Sequence, residues 1–189
     1  RILELHAALL AAREQLREQA TRDALTGLWN RAAVLEALRR ELVRSQREHV
    51  PMCVVMADLD HFKQINDTRG HLAGDAVLRE VGRRMQHAIR SYDSVARYGG
   101  EEFLCVVPRC DLRQGVQIAE RIRAAVAEQP FDTGCGSAAL TMSLGVAEAL
   151  NMGEIDEQAI VRAADEALYR AKQSGRNRVE AASTCEAVA

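Results

Sequence analysis

Met52-Cys53-Val54-Val55-Met56-Ala57-Asp58-Leu59-Asp60 is the stretch on which the fold turns. Pro51 opens it, and an unbroken apolar run of strand length follows. A strand with one solvated face alternates apolar and polar residues, whereas a continuous apolar run suits a strand buried on both faces. The run therefore reads as an interior strand that ends in two acids, Asp58 and Asp60.

Toward the N-terminus, Asn30 is a plausible N-cap for an amphipathic helix carrying Val34, Ala37, Leu38 and Leu42, which fades near Ser45. Toward the C-terminus, Phe62-Lys63 opens a loop before Asn66. Gly70, Gly74 and Asp75 then lead into a helix with Val77, Leu78, Val81, Met85 and Ile89 on one face. Two short β-like runs, Ser94 to Tyr98 and Phe103 to Val107, join through Gly99-Gly100, a dipeptide favoured in tight hairpins. Leu112, Val116, Ala119, Ile122 and Val126 mark a third helix, and a Gly-rich loop at Thr133 to Ser137 precedes a strand over Leu140 to Ala147. The last helix starts near Ile155, turns Ile160, Ala163, Ala164, Ala167, Leu168 and Ala171 inward, and stops at Gly175. The order predicts an α+β fold, ferredoxin-like or polymerase-palm-like, with a central antiparallel or mixed sheet flanked by helices.

The chain has 189 residues, 48% hydrophobic and 28% charged, the balance of one globular domain, here placed at residues 21–180. A formal net charge of -2 argues against a polynucleotide partner, and 4% aromatic residues leave few rings on which bases would stack. Cys53, Cys105, Cys110, Cys135 and Cys185 are odd in number and form no CxxC pair, which points to reduced thiols in a cytoplasm rather than to a zinc or disulfide scaffold. No apolar run approaches the roughly 20 residues of a spanning helix, although a membrane tether in a longer parent protein stays open. Ile2, Leu5, Leu9, Ala12 and Leu16 form a short heptad seam in residues 1–20. Such a seam is either a coiled-coil linker from an upstream input domain or an amphipathic helix packed on its own domain. Residues 181–189 lack periodicity and are expected to fray.

Asp58 and Asp60 end the buried strand, and Glu101 and Glu102 sit at the hairpin turn expected beside it. Four acids on one sheet edge make an oxygen-only donor set suited to Mg2+ or Mn2+, and a pair of such ions polarises a phosphate and activates an attacking hydroxyl. Phosphoryl transfer is the reaction class that the cluster suggests.

The residues also resemble a family. Arg97-Tyr98-Gly99-Gly100-Glu101-Glu102-Phe103 is similar to the signature hairpin of the GGDEF-domain diguanylate cyclases in its GGEEF form. Asp58 through Asp67, Gly70-His71 to Gly74-Asp75, and Ala164 through Lys172 with Gly175-Arg176-Asn177 match it in order and spacing, over roughly Thr21 to Val179. The resemblance implies an enzyme that condenses two GTP into cyclic di-GMP with release of two pyrophosphates, each subunit of a homodimer presenting one nucleotide. It implies two Mg2+ or Mn2+ ions per GTP, held by Asp58, Glu101, Glu102 and the backbone carbonyl of Leu59, with Glu101 assisting deprotonation of the ribose 3′-hydroxyl. Asn66 and Asp75 would read guanine. Lys63, Lys172 and Arg176 would hold the triphosphate, and Phe62, Gly99 and Gly100 would line the nucleotide. Arg90-Ser91-Tyr92-Asp93 matches the RxxD product-inhibition site, and Asp23-Ala24-Leu25-Thr26 the DxLT segment that joins the upstream helix to the domain.

Residue chemistry without the resemblance reads several of these positions otherwise: an Asx-turn at Asn66, a helix-start acid at Asp75, and dipole complements at Lys172 and Arg176. Two other functions stay in view. One is an inactive GTP or cyclic di-GMP receptor module. The other is a palm-like transferase acting on a nucleic-acid primer, which the missing basic stripe disfavours.

Overall fold

The computed structural model describes residues 1, 6, 12–14, 17–134, 136–149 and 156–182. Strand β1 (Met52–Leu59) is buried at every position, as its uninterrupted apolar run requires. Its side chains divide by parity between two cores. Cys53, Val55, Ala57 and Leu59 face Val77, Val81, Met85, Ile118 and Ile122, while Val54 and Met56 face Val34, Leu38, Ile160, Ala164 and Leu168.

The elements that cover β1 follow in chain order. Helix α1 (Arg31–Glu48) is capped by Asn30, whose side chain accepts the Ala33 N–H, and runs a turn beyond Ser45. After β1 come α2 (Phe62–Arg69) and α3 (His71–Ala88), then the hairpin of β2 (Ser94–Arg97) and β3 (Glu102–Val107), and α4 (Leu112–Ala127). A two-stranded ribbon of β4 (Phe131–Asp132) and β5 (Ser137–Ala138) occupies the Gly-rich loop, followed by β6 (Met142–Ala149), α5 (Glu157–Gln173) and β7 (Val179–Ala181). Helices α3 and α4 pack on one face of the sheet and α1 and α5 on the other. The expected α+β palm-like architecture is present.

The five-stranded sheet has the order β2-β3-β1-β6-β7. Strand β1 is antiparallel to β3 and β6, and β7 adds parallel to β6, so the sheet is mixed. Gly145 of β6 faces α5 so closely that a Cβ there would collide with the Ala164 carbonyl and the Leu168 amide. The outer edge of β2 is covered by Trp29, whose N–H donates to the Val95 carbonyl at 3.3 Å and whose own carbonyl accepts from Arg97 N–H at 3.0 Å.

Three expectations need correction. Residues 62–69 form a helix rather than a loop; with only Phe62 and Ile65 turned inward, eight residues hold too few apolar positions to show a period. Helix α3 begins at His71, which places Gly74 and Asp75 inside its first two turns rather than ahead of it. The last strand of the sheet, β7, was not anticipated. It takes Ala181 from the expected tail, and Ala182 N–H donates to the Val146 carbonyl at 2.6 Å. Ile155, Cys135, Cys185 and residues 183–189 lie outside the described residues, as does the heptad seam apart from Ala12, which is exposed. Residues 17–21 are helical.

Candidate active site

The parity that buries Val54 and Met56 against α5 also turns Asp58 toward that helix. Asp58 is 7% exposed, and its Oδ2 lies 2.9 Å from Nζ of Lys172, in the last turn of α5. Across the sheet Asp58 stands in register with Glu102 of β3, and Leu59 N–H donates to the Glu101 carbonyl at 3.3 Å. The turn before β3 is therefore stitched directly to the end of β1.

That turn has its own ties. Tyr98 and Gly99 N–H groups both donate to the Glu102 carbonyl, at 2.8 and 3.2 Å, and Arg97 donates to the Gly100 carbonyl from Nε at 3.0 Å and Nη2 at 2.8 Å. Arg97 also meets the Asp23 carboxylate at 3.4 Å, so the DxLT segment and the signature turn share one guanidinium. Burial acts to raise the Asp23 carboxyl, but hydrogen bonds from Thr26 and the charge of Arg97 hold it below its ordinary value. Neither Gly99 nor Gly100 adopts positive φ, so the Gly-Gly pair is not needed for a left-handed hairpin turn. A Cβ on Gly99 would stand 2.6 Å from the flexible end of the Glu102 side chain, and one on Gly100 would point into open space.

Three of the four expected acids share this corner. Burial raises the Glu101 carboxyl, and the nearby charges of Asp58 and Glu102 raise it further. Burial likewise pushes Asp58 up; Lys172 opposes this, while Asp60 and Asp165 add to it. Asp60 does not join them. It is 3% exposed and accepts hydrogen bonds from Ser143, Thr141 and the Asn177 amide, so the expectation of four converging acids is corrected to three. The β1 strand ends at Leu59, and the turn that follows carries Asp60 toward β6 instead of along the strand.

The donor set of Asp58, Glu101, Glu102 and the Leu59 carbonyl is all oxygen. Burial and neighbouring charge raise the Asp58 and Glu101 carboxyls, and a hard divalent cation relieves such crowding. The residues fit such an ion, although among the described residues no three acidic, His or Cys side chains already stand at ligand spacing.

On the far side of β1, Asn66 of α2 faces α3 at Gly74. A Cβ at Gly74 would collide with the Asn66 carboxamide oxygen and stand 3.1 Å from Phe62 Cζ. Gly74 thus lets α2 sit close against the first turn of α3, and Asn66 and Asp75, the residue after Gly74, are both half-buried. Phe62 is 4% exposed and belongs to the core beneath Asn66. Lys63 is exposed in the first turn of α2. Arg176 is exposed beyond Gly175 with left-handed φ of 62°.

Arg90 and Asp93 stand at the other end of α3. Arg90 N–H donates to Asp93 Oδ2 at 2.9 Å, and the Arg90 guanidinium reaches the Tyr92 hydroxyl at 2.7 Å. Asp93 is 8% exposed, and its Oδ1 is buried with no hydrogen-bond partner. Burial raises its carboxyl, opposed by the Arg90 amide and by the charges of Arg90 and Arg121. Arg121 of α4 escaped the sequence reading, because nothing in the spacing of α4 sets it apart from the other arginines of that helix. It also lines a cavity of about 360 Å³ between α3 and α4.

A buried, acid-ended strand beside a Gly-Gly-Glu-Glu turn on a palm-like sheet is the arrangement of the GGDEF domains. The chain belongs to the GGDEF-domain family of diguanylate cyclases, whose profile "Diguanylate cyclase, GGDEF domain" matches residues 20–178. It is 44% identical over 169 residues to the diguanylate cyclase DgcP of Pseudomonas aeruginosa, which covers 89% of this chain but only 25% of that protein's length. The coiled coil and GGDEF domain of DgcB from Caulobacter crescentus, solved in complex with c-di-GMP, superposes with a TM-score of 0.87 at 35% identity, covering 96% of this chain and 97% of that one. Diguanylate cyclase SiaD of Pseudomonas aeruginosa, solved with its activator SiaC, gives 0.83 at 41% identity, covering 95% and 68%. Among the described residues no helix is long and apolar enough to cross a membrane.

Proposed function

We propose that this chain is the catalytic domain of a diguanylate cyclase, joining two GTP into cyclic di-GMP with release of two pyrophosphates across a homodimer. The observation that carries the reading is the meeting of Asp58 and Glu101 at one corner, where the Glu101 carboxyl is raised by burial and by Asp58. Asp58, Glu101, Glu102 and the Leu59 carbonyl would hold two Mg2+ or Mn2+ ions. When bound, these would supply Lewis-acid polarisation of the phosphate and a lowered pKa of the ribose 3′-hydroxyl.

The chain's own groups do the rest. Asn66 and Asp75 hydrogen-bond the guanine edge, Lys63, Lys172 and Arg176 neutralise the triphosphate, and Gly100 leaves room for it beside the turn. Glu101 accepts the 3′-hydroxyl proton, a role its raised carboxyl suits better than an ordinary one would. Two bound nucleotides must face each other, which requires a second copy, and an upstream sensory domain would set how often the copies meet. A cytoplasmic location follows from where GTP is found.

Arg90, Asp93 and Arg121 fit product inhibition: an anionic phosphate suits the guanidinium groups, and the unpartnered Asp93 Oδ1 suits a guanine N–H. The test is incubation of the protein with GTP and Mg2+ and identification of products by mass. Cyclic di-GMP and pyrophosphate are expected from the unmodified chain, and Asp58→Ala or Glu101→Ala should cut the rate by about a hundredfold or more. Binding of GTP or cyclic di-GMP without turnover would favour the receptor reading instead.

A further inference from the structure

Asp60 is almost fully buried, two residues past the acid proposed to hold metal, yet its carboxylate points elsewhere. Its Oδ1 accepts from the Ser143 hydroxyl at 2.7 Å. Its Oδ2 accepts from the Thr141 hydroxyl at 2.6 Å and from the Asn177 backbone N–H at 3.0 Å. The Asp60 amide in turn donates to the Thr141 carbonyl at 2.9 Å. One side chain therefore joins the end of β1, the start of β6 and the loop after α5.

That loop is held in an unusual shape. Gly175, Arg176 and Asn177 are consecutive residues at φ of 114°, 62° and 46°. Left-handed backbone is ordinary for Gly, tolerated by Asn and unfavourable for Arg, so it persists only where the surroundings over-determine it. Several contacts do so. Arg176 N–H donates to the Ala171 carbonyl at 3.0 Å, the Asn177 carboxamide oxygen accepts from Arg123 of α4 at 2.8 Å, and Leu144 N–H donates to the Arg178 carbonyl at 2.9 Å. Asp60 supplies the link from this loop to the strand that bears Asp58.

We propose that Asp60 is a positioning residue, whose carboxylate clamps residues 174–178 to the end of β1 and so sets where Lys172 and Arg176 stand relative to Asp58. The inference rests on the reading of Lys172 and Arg176 as triphosphate-holding groups. Lys172 sits just before the clamped loop and Arg176 within it, one residue from the amide that Asp60 accepts. Without the carboxylate, the left-handed segment loses its tie to the end of β1, and Arg176 shifts with it. The cost falls on GTP binding, because a misplaced cation weakens its grip on phosphate while Asp58, Glu101 and Glu102 remain in place.

Asp60→Asn separates this from a metal-ligand role. An amide oxygen still accepts from Asn177 N–H and Thr141, and the amide NH2 donates to Ser143, whose hydroxyl can reverse its role. The experiment compares steady-state kinetics with GTP across a Mg2+ series, together with amide hydrogen exchange of residues 174–178, in the unmodified chain, Asp60→Asn and Asp60→Ala. Asp60→Ala is expected to raise KM for GTP by about tenfold or more, change kcat much less, and speed exchange at Asn177. Asp60→Asn is expected to restore KM to within about threefold with the same Mg2+ dependence.

An altered Mg2+ requirement in Asp60→Asn would make Asp60 a ligand and overturn the proposal, as would an unchanged KM and unchanged exchange in Asp60→Ala. If Asp60→Ala does not fold, Thr141→Val with Ser143→Ala takes its place. Removal of both hydroxyls takes away the groups that orient the carboxylate toward Asn177 N–H, and an unchanged KM together with unchanged Asn177 exchange in that variant would also overturn the proposal. Arg176→Ala reports separately on the underlying reading. If it leaves KM unaltered while Asn177 exchange still responds to Asp60→Ala, the clamp stands and the phosphate role of Arg176 fails.

Discussion

Lys172 Nζ and Asp58 Oδ2 are 2.9 Å apart, a cation from α5 closing on a carboxylate that ends β1. The two roles assigned to them, phosphate clamp and metal ligand, thus belong to groups already in contact. On the proposed reading, Lys172 would exchange this carboxylate for a phosphate as the site fills, which keeps an anion beside the ammonium throughout.

Asp58 and Glu101 both titrate above their ordinary values, chiefly through burial. A carboxyl raised in this way keeps its proton to higher pH and must release it before it holds a cation. Activity is therefore expected to fall on acidification before the ordinary carboxylate range of about 4 is reached, and more Mg2+ should move that limb to lower pH. Lys172→Ala removes an interaction that lowers the Asp58 carboxyl, so the limb should move to higher pH. Profiles of kcat/KM against pH at two Mg2+ concentrations provide the check, and a limb indifferent to Mg2+ would contradict it.

Gly74 lets the Asn66 carboxamide lie against α3. In Gly74→Ala the methyl displaces the Asn66 carboxamide and also crowds the buried Phe62 ring, so stability should fall by about 1–3 kcal/mol while Asn66 is pushed out of place. KM for GTP should rise by about tenfold with kcat less affected. Asp75→Ser should instead narrow the preference for GTP over ATP, since the carboxylate that faces acceptors on adenine is gone. Rates with both nucleotides measure the two effects, and equal ATP turnover by the unmodified chain would remove the guanine-reading role.

Asp23→Ala breaks the contact with Arg97 and with it one tie on the signature turn. Because both side chains are about one-fifth exposed, the expected cost is about 1–3 kcal/mol, seen as a lower urea midpoint with an unchanged slope. Turnover should fall with it, since Arg97 also holds the Gly100 carbonyl. Arg97→Lys should not substitute, because an ammonium lacks the planar fork that serves Asp23 and Gly100 together. An Asp23→Ala protein of unaltered stability and rate would show that the turn needs no such tie.

Arg90→Ala should weaken feedback by added cyclic di-GMP by about tenfold to a hundredfold, the loss of a charge-assisted hydrogen bond of about 1.5–3 kcal/mol. The site lies at the far end of α3 from Gly74 and Asp75, so inhibition should not be relieved by GTP. Initial rates at several GTP and product concentrations decide this. Inhibition that survives Arg90→Ala would leave Arg90 a helix-end arginine hydrogen-bonded to Tyr92.

What the sequence by itself determined were features encoded in neighbouring residues. The buried β1 was legible because an unbroken apolar run admits few other placements, α1 because Asn30 caps a periodic face, and the hairpin because Gly-Gly divides two β-like runs. The acid-ended strand and the hairpin turn pointed to Asp58 and Glu101, and the resemblance in block order added Asn66 and Asp75. What only the tertiary structure decided depends on groups far apart in the chain. Asp58 and Asp60 look alike in sequence, two acids two residues apart, yet the strand's end sends one to Lys172 and the other to Thr141, Ser143 and Asn177. Helix α2 stayed hidden because Phe62 and Ile65 are too few to display a period, and β7 because a three-residue strand carries no pattern until β6 offers its free edge. Arg121 acquires meaning only where α4 packs beside α3 and brings its charge to Asp93. Local pattern specifies which elements form, because burial of a face is a property of nearby residues. Which acids meet a cation, a hydroxyl or one another is settled by packing, because those partners lie tens of residues away.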